Sequence, residues 1–320
     1  MKTIIKIFKS PKFMSGYMAI TIAFVLYYIH TIWKDIPHIL AFSKIDYVLY
    51  AFIFGCLNYM GYGYVANVLY KKLGAKISYW KTLQIILASR LGIYLPGKIW
   101  YASNFYLFSR KLNIPPSIIA QSFGLTNVFL FITGGICSLP IVLPLLSYWG
   151  RWLLIVIIGM LIIFSHPKSI KYVISFFPKI HTVLKDQIYF STFGSNLYLK
   201  FLFLFFLLWI IAGVRLSFCV MTFHPVQYSD FLTIITASAA SLILGMLAVF
   251  APGGIGIREG VGVFILSTII PIETAFFVMI LSRLLSAITD LGSGLFAFYL
   301  LNKMDRRMSS KKINIYELKT

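Results

Sequence analysis

Acidic side chains are scarce in this chain: nine Asp and Glu stand against 29 Lys and Arg in 320 residues, and charged residues of both signs make up only 12%. A soluble globular domain has roughly a quarter of its residues charged, so this composition excludes one. Cysteine is scarce as well. Cys56, Cys137 and Cys219 each fall inside a separate apolar run without CxxC spacing, a pattern that implies neither a disulfide framework nor a thiolate metal site and leaves them as packing residues. The histidines, His30, His38, His166, His181 and His224, are scattered at run ends without ligand spacing, so no metal is expected. No GxxxxGK[ST] phosphate loop occurs, which rules out ATP as a direct drive through that loop; no cofactor is expected.

What the chain has instead is apolar length. Hydrophobic residues make up 59%, mean hydropathy is +0.86, and apolar runs cover residues 13–33, 47–70, 117–146, 152–165, 197–222, 231–250 and 272–301. The expected fold is all-α, a single integral membrane domain over residues 1–320 built as a polytopic bundle of six to eight spans. The net charge of +20 follows topology better than nucleic-acid binding, because the positive residues gather at the ends of apolar runs. Lys2, Lys6, Lys9 and Lys12 make residues 1–12 a basic N-terminus. The run behind them is about 20 residues long and lacks a small-x-small cleavage site, so it reads as an uncleaved first span. Lys303, Arg306, Arg307, Lys311 and Lys312 make residues 302–320 a basic tail. Both termini are expected on the cytoplasmic side, which requires an even number of full crossings. Residues 166–196 interleave Lys168, Lys171, Lys179 and Lys185 with Tyr172, Phe176 and Phe177, as in a basic loop or an amphipathic connector on anionic lipid. Residues 223–230 carry no Lys or Arg, which suits the outer side.

Two apolar stretches are broken by one shared pattern. Tyr94-Leu95-Pro96-Gly97-Lys98 interrupts residues 83–108, and Phe250-Ala251-Pro252-Gly253 leads into Gly254-Ile255-Gly256-Ile257-Arg258-Glu259-Gly260. Proline removes an amide donor and glycine permits the turn. Irregular backbone at membrane depth is tolerated only where protein buries it or a polar cavity adjoins it, and paired breaks in two halves point to a transporter binding site. Lys71, Lys72, Lys76 and Lys81 precede the first break, and Arg110 and Lys111 follow it. Both ends of that stretch are therefore expected on the cytoplasmic side, as a re-entrant hairpin or two short helices. For the second break two arrangements keep the parity. Residues 231–250 dip in from outside and return along 257–269, giving six crossings and an inverted pair of breaks, or both segments cross fully, giving eight.

Charges inside apolar runs mark bundle interiors or cavities, because an unpaired Arg or Lys at the bilayer centre costs about 2.5–3.5 kcal/mol on insertion scales. They are Arg90, Lys98, Arg215, Arg258 and Arg283, against Glu259, Glu273 and Asp290. Glu273 stands two residues after Pro271, where a carboxylate opens a helix, and reads as structural. Arg283 and Asp290 are seven apart, on nearly one helix face, and read as a buried polar seam rather than a direct pair. Arg258 and Glu259 are neighbours and cannot face each other on a helix. Glu259 is expected to pair with Arg90, Lys98 or Arg283, which leaves Arg258 for a substrate anion that a guanidinium can grip in bidentate fashion. The amides around Gly253, Gly254 and Gly256, at the start of a helix, suit the same anion.

Taken together, Arg90-x-x-x-Tyr94-Leu95-Pro96-Gly97-Lys98-x-Trp100 and Pro252-Gly253-Gly254-Ile255-Gly256-Ile257-Arg258-Glu259-Gly260 resemble the integral-membrane family named for the lysylphosphatidylglycerol synthase transmembrane region, also called flippase-like proteins. The resemblance covers essentially the whole chain. It implies a multi-pass protein of the bacterial or archaeal inner membrane that moves lipids, or polyprenyl-linked lipids, between leaflets. Bifunctional members add a soluble C-terminal domain that transfers an amino acid from tRNA onto phosphatidylglycerol. Here only residues 302–320 follow Leu301, so aminoacyl transfer is not expected of this polypeptide.

The leading expectation is a flippase, not an enzyme, that moves an anionic phospholipid or polyprenyl-phosphate-linked lipid. Its candidate substrate-binding residues are Arg90, Tyr94, Pro96, Gly97, Lys98, Trp100, Pro252, Gly253, Gly254, Gly256, Arg258, Glu259 and Arg283. The alternatives are a membrane-embedded transferase of cell-envelope lipid synthesis, for which Asp35 and Asp46 lie on the right side but without a paired acidic motif, and a non-transporting partner of cell-envelope biosynthesis proteins.

Overall fold

The computed structural model describes residues 44–94, 99–166, 169, 194–248, 254 and 256–317, without the side chains of Leu145, Phe164, Ser165 and residues 304–317. The expected first span at 13–33, the residues Leu95, Pro96, Gly97, Lys98, Pro252 and Gly253, and most of the 166–196 connector lie outside the described residues.

Every regular element among the described residues is helical. The α-helices are α1 Ile45–Lys72, α2 Tyr79–Arg90, α3 Ile99–Lys111, α4 Pro116–Leu145, α5 Tyr148–Ser165, α6 Ser195–Met221, α7 Phe231–Leu247, α8 Ile257–Leu266 and α9 Ile272–Glu317, with 3-10 turns at Leu91–Tyr94 and Tyr228–Asp230. The boundaries follow local chemistry. α4 begins on Pro116, whose missing N–H would be unpaired there in any case. α9 begins after Pro271 with Glu273 in its first turn, and the Ser147 hydroxyl caps α5 by accepting from the Gly150 amide. α1 ends on Gly74 at φ +93°; the Ala75 amide then reaches the Tyr70 carbonyl at 2.9 Å, closing the last turn.

Five helices among the described residues are long and apolar enough to cross a membrane, namely α1, α4, α6, α7 with its preceding turn (Tyr228–Leu247) and the Ile272–Lys303 part of α9. The others are short. At 1.5 Å per residue, α2 with 12 residues, α3 with 13 and α8 with ten reach roughly 15–20 Å, against a hydrocarbon core of about 30 Å. α3 folds back on α2, and α8 on α7, so each broken stretch is a helical hairpin. The helix of the last apolar run, 272–301, continues through the basic residues to Glu317. Residues 302–317 contain neither glycine nor proline, so nothing in the tail stops it.

Lipid-facing helices gain no hydrophobic drive toward one another, so packing rests on small residues and interhelical hydrogen bonds. Asn58 Nδ2 donates to the Leu208 carbonyl at 2.8 Å, pinning α1 to α6. Trp209 Nε1 donates to Thr133 Oγ1 at 3.0 Å, pinning α6 to α4. Thr236 Oγ1 donates to the Cys137 carbonyl at 2.9 Å, pinning α7 to α4. Two apolar clusters result. One joins Tyr70, Ile85, Phe108, Phe129 and Phe201 from α1, α2, α3, α4 and α6; the other joins Val220, Ala237, Leu266 and Val278 from α6, α7, α8 and α9. On the outer face of α1, Ile45, Leu49, Ile53 and Leu57 recur every fourth position and stay exposed, as a lipid-facing stripe would.

Candidate functional site

The first hairpin turns at Gly92. A Cβ there would stand 2.7 Å from the Trp100 carbonyl carbon and 2.8 Å from the Tyr101 amide nitrogen, so only glycine lets the 3-10 turn lie on the start of α3. That contact sets Arg90, the last residue of α2, and Tyr94, the last of the turn, against the middle of α9. There both meet Asp290. Asp290 Oδ1 accepts from Arg90 Nε and from the Tyr59 hydroxyl at 2.8 Å. Asp290 Oδ2 accepts from the Tyr94 hydroxyl at 2.7 Å and from Arg90 Nη2 at 3.4 Å. Arg90 also donates to Tyr59 at 3.0 Å and lies 4.2 Å above its ring. A carboxylate offers about four acceptor positions, and Asp290 has all four filled from three elements.

The second hairpin is held two turns away on the same helix. Gly254 has φ +73° and a Cβ there would stand 2.9 Å from the Gly245 carbonyl oxygen, so the backbones of the α7–α8 pair touch. Gly256 has φ +83°, and its amide donates to Glu259 Oε2 at 2.7 Å, a carboxylate cap on the first turn of α8. The other oxygen, Oε1, takes Arg283 Nε at 2.6 Å. Of the three partners open to Glu259, the structure thus gives Arg283, and this pair clamps α8 to α9. The Arg283–Asp290 seam is bridged by neither residue directly. Each reaches a different hairpin.

Between these clamps lies a cavity of about 300 Å³ to which every described helix except α5 contributes. Its basic wall is Arg90, Arg215, Arg258 and Arg283, and Asp290 is the one carboxylate among the described lining residues. Counting Glu259, paired just behind, four guanidiniums face two carboxylates, an excess of two positive charges among the described residues. Arg215 is anchored through Nη2 to the Ser282 carbonyl at 2.7 Å and to Ser286 Oγ at 2.9 Å. Gly55 makes room for it: a Cβ there would stand 3.0 Å from Arg215 Nε. The Nε groups of Arg215 and Arg258 are buried and meet no hydrogen-bond partner among the described residues. Such donors are costly in a low-dielectric interior unless something answers them. Neutral polar lining comes from Asn58, Tyr59, Tyr62, Tyr101 and Asn127; Ile93, Leu130, Leu242 and Met246 supply apolar surface.

Of the residues singled out from sequence, Arg90, Tyr94, Arg258 and Arg283 line this cavity. Glu259, Gly254 and Gly256 stand behind it, the first as the partner of Arg283 and the glycines as the turn that presents α8. Trp100 is off the cavity and gives the turn its backbone footing against Gly92. Pro96, Gly97, Lys98, Pro252 and Gly253 lie outside the described residues. Sequence reasoning had Arg215 and Asp290 as charges inside apolar runs without placing them at the site, and that signal was sufficient to find them. Tyr59, Tyr62, Tyr101, Asn58 and Asn127 carried none, because a chain with 20 tyrosines gives no local mark to those that face inward.

No individually curated protein matches the chain. The family model described as Lysylphosphatidylglycerol synthase TM region matches residues 16–294, a stretch that contains both hairpins and every described residue lining the cavity. The chain belongs to the lysylphosphatidylglycerol synthase transmembrane-region family.

Proposed function

We propose that this protein moves the headgroup of an anionic lipid, a phospholipid or a polyprenyl-phosphate-linked lipid, across the cytoplasmic membrane. The observation that carries the reading is the excess of guanidinium over carboxylate around the cavity, with two arginine Nε groups unanswered. A phosphate in the cavity would offset that excess charge, since guanidinium and phosphate match in geometry and charge. In this reading both termini are cytoplasmic and the hairpins enter from opposite faces, each held to α9, the first through Arg90 and Tyr94 and the second through Glu259. A headgroup held between them would be exposed to either side by small movements of one hairpin against α9, while its tails stay in lipid.

Arg258 is the residue to remove. Its Nε makes no hydrogen bond within the described residues, so Arg258→Met deletes an uncompensated charge and should leave the fold intact or firmer. The expected outcome in proteoliposomes is loss of movement of a fluorescent phosphatidylglycerol, at unchanged yield and unfolding midpoint. Full movement by the variant would refute the assignment.

A further inference from the structure

The exposed apolar stripe of α1 ends in charge. Leu57, Met60 and Tyr64 are exposed, and their spacing of three and four keeps them on one helix face, which exposed Lys71 continues two turns further on. At 1.5 Å per residue the rise from Met60 to Lys71 is about 16 Å, close to the roughly 15 Å spanned by half of a bilayer's hydrocarbon core. A lipid lying along the stripe would carry its headgroup to Lys71.

The chain then folds back and makes that level concave. The Ala75 amide donates to the Tyr70 carbonyl at 2.9 Å, and Asn67 Nδ2 donates to the Ile77 carbonyl at 3.2 Å. Between these ties Leu73, Ala75 and Ile77 are buried, while Gly74, Lys76 and Ser78 are exposed. Lys71, Lys76 and Ser78 line the shallow depression that results. The Tyr79 hydroxyl donates to the Met60 carbonyl at 3.0 Å, fastening the first turn of α2 to α1. Trp80 and Lys81, next in the chain, are exposed, an aromatic and a cation of the kinds that gather at membrane interfaces. Lys71, Lys72, Lys76 and Lys81 take part in no ion pair among the described residues.

We propose that this corner of α1 and α2 binds one anionic phospholipid, its phosphate on Lys71 and Lys76 and an acyl chain along the α1 stripe. Lysine meets phosphate as a point charge and needs no fixed fork geometry, and each lysine near a membrane surface adds about fivefold to the affinity for anionic lipid. Phosphocholine brings its own cation and gains little of this. Topology by itself asks only for basic residues at this level; the stripe in line with them adds a seat for the chain. None of these residues lines the cavity, so the lipid held here is a resident one, distinct from any whose headgroup would cross.

The test is native mass spectrometry of the full-length protein released from micelles containing equal amounts of phosphatidylglycerol and phosphatidylcholine. At least one phosphatidylglycerol should persist under activation that strips phosphatidylcholine. Lys71→Gln combined with Lys76→Gln, both at exposed positions, should weaken its affinity by about 25-fold, and the corresponding pair of Arg substitutions should preserve it. Glycerol phosphate, which has no tails, should not displace it. Arg258→Met separates this site from the cavity: the proposal stands on a phosphatidylglycerol that the double Gln variant loses and Arg258→Met keeps. Equal retention of the two lipids, displacement by glycerol phosphate, or the absence of any lipid with that pattern of loss would overturn it. None of these outcomes requires the protein to move lipid, so the transport reading stands or falls separately.

Discussion

Replacing Asp290 by alanine tests whether the first hairpin is clamped to α9 electrostatically. The carboxylate has 3% of its side chain exposed and Arg90 has 22%, so the substitution leaves a guanidinium stranded in a mostly dry site. Removing one partner of a buried ion pair costs about 3–5 kcal/mol; water reaching Arg90 places this case near the lower end, about 3 kcal/mol. The Tyr59 and Tyr94 hydroxyls also lose their acceptor, at roughly 0.6 kcal/mol each for bonds between membrane helices. The expected loss is about 4 kcal/mol, read as reversible unfolding in mixed dodecyl sulfate micelles by tryptophan fluorescence. Arg90→Met combined with Asp290→Leu removes both charges. It should recover most of that loss, because an apolar pair of similar volume often matches a buried ion pair, and the coupling between the two sites should exceed about 1 kcal/mol. A near-neutral Asp290→Ala, or a double variant no more stable than the sum of its singles, would show that packing alone holds the hairpin.

Two further outcomes can be checked independently. Gly92→Ala puts a methyl against the Trp100 and Tyr101 backbone, which cannot rotate away, so it should destabilise by about 1–3 kcal/mol; the same unfolding assay reads it, and a neutral result would show that the turn has slack. Cysteines substituted at Lys76 and at Gln227, both exposed, should label from opposite sides of inverted and right-side-out vesicles, Lys76→Cys from the cytoplasmic side; same-side labelling would sink the topology.

Much of the architecture was legible in the sequence because bilayer thickness imposes a length on apolar runs and backbone breakers mark their interruptions. The runs at 47–70, 117–146 and 197–222 correspond to α1, α4 and α6, with ends displaced by a few residues. Both Pro-Gly patterns fell between helices that pair back on each other. The long last helix was harder: the basic tail marked a departure from the membrane, but charge does not end a helix, and residues 302–317 hold no breaker.

Partner choice was another matter. Sequence alone established that the chain is a helical membrane protein, that two broken stretches carry the unusual backbone, and that Arg90, Arg215, Arg258, Arg283, Glu259 and Asp290 need company inside it. Each of those conclusions follows from local composition or from the energetic penalty of charge in lipid, which a sequence displays directly. Tertiary structure decided that Glu259 takes Arg283, that Asp290 takes Arg90 with two tyrosines, and that Arg258, a residue of the cavity lining, has a buried Nε without a hydrogen-bond partner among the described residues. Those pairings join residues 24 to 231 positions apart in the chain, as with Glu259 and Arg283 or Tyr59 and Asp290. They depend on how the hairpins lie against α9, where Gly294 admits Leu87 and Leu91 of the first hairpin and Gly262 of the second admits Met279.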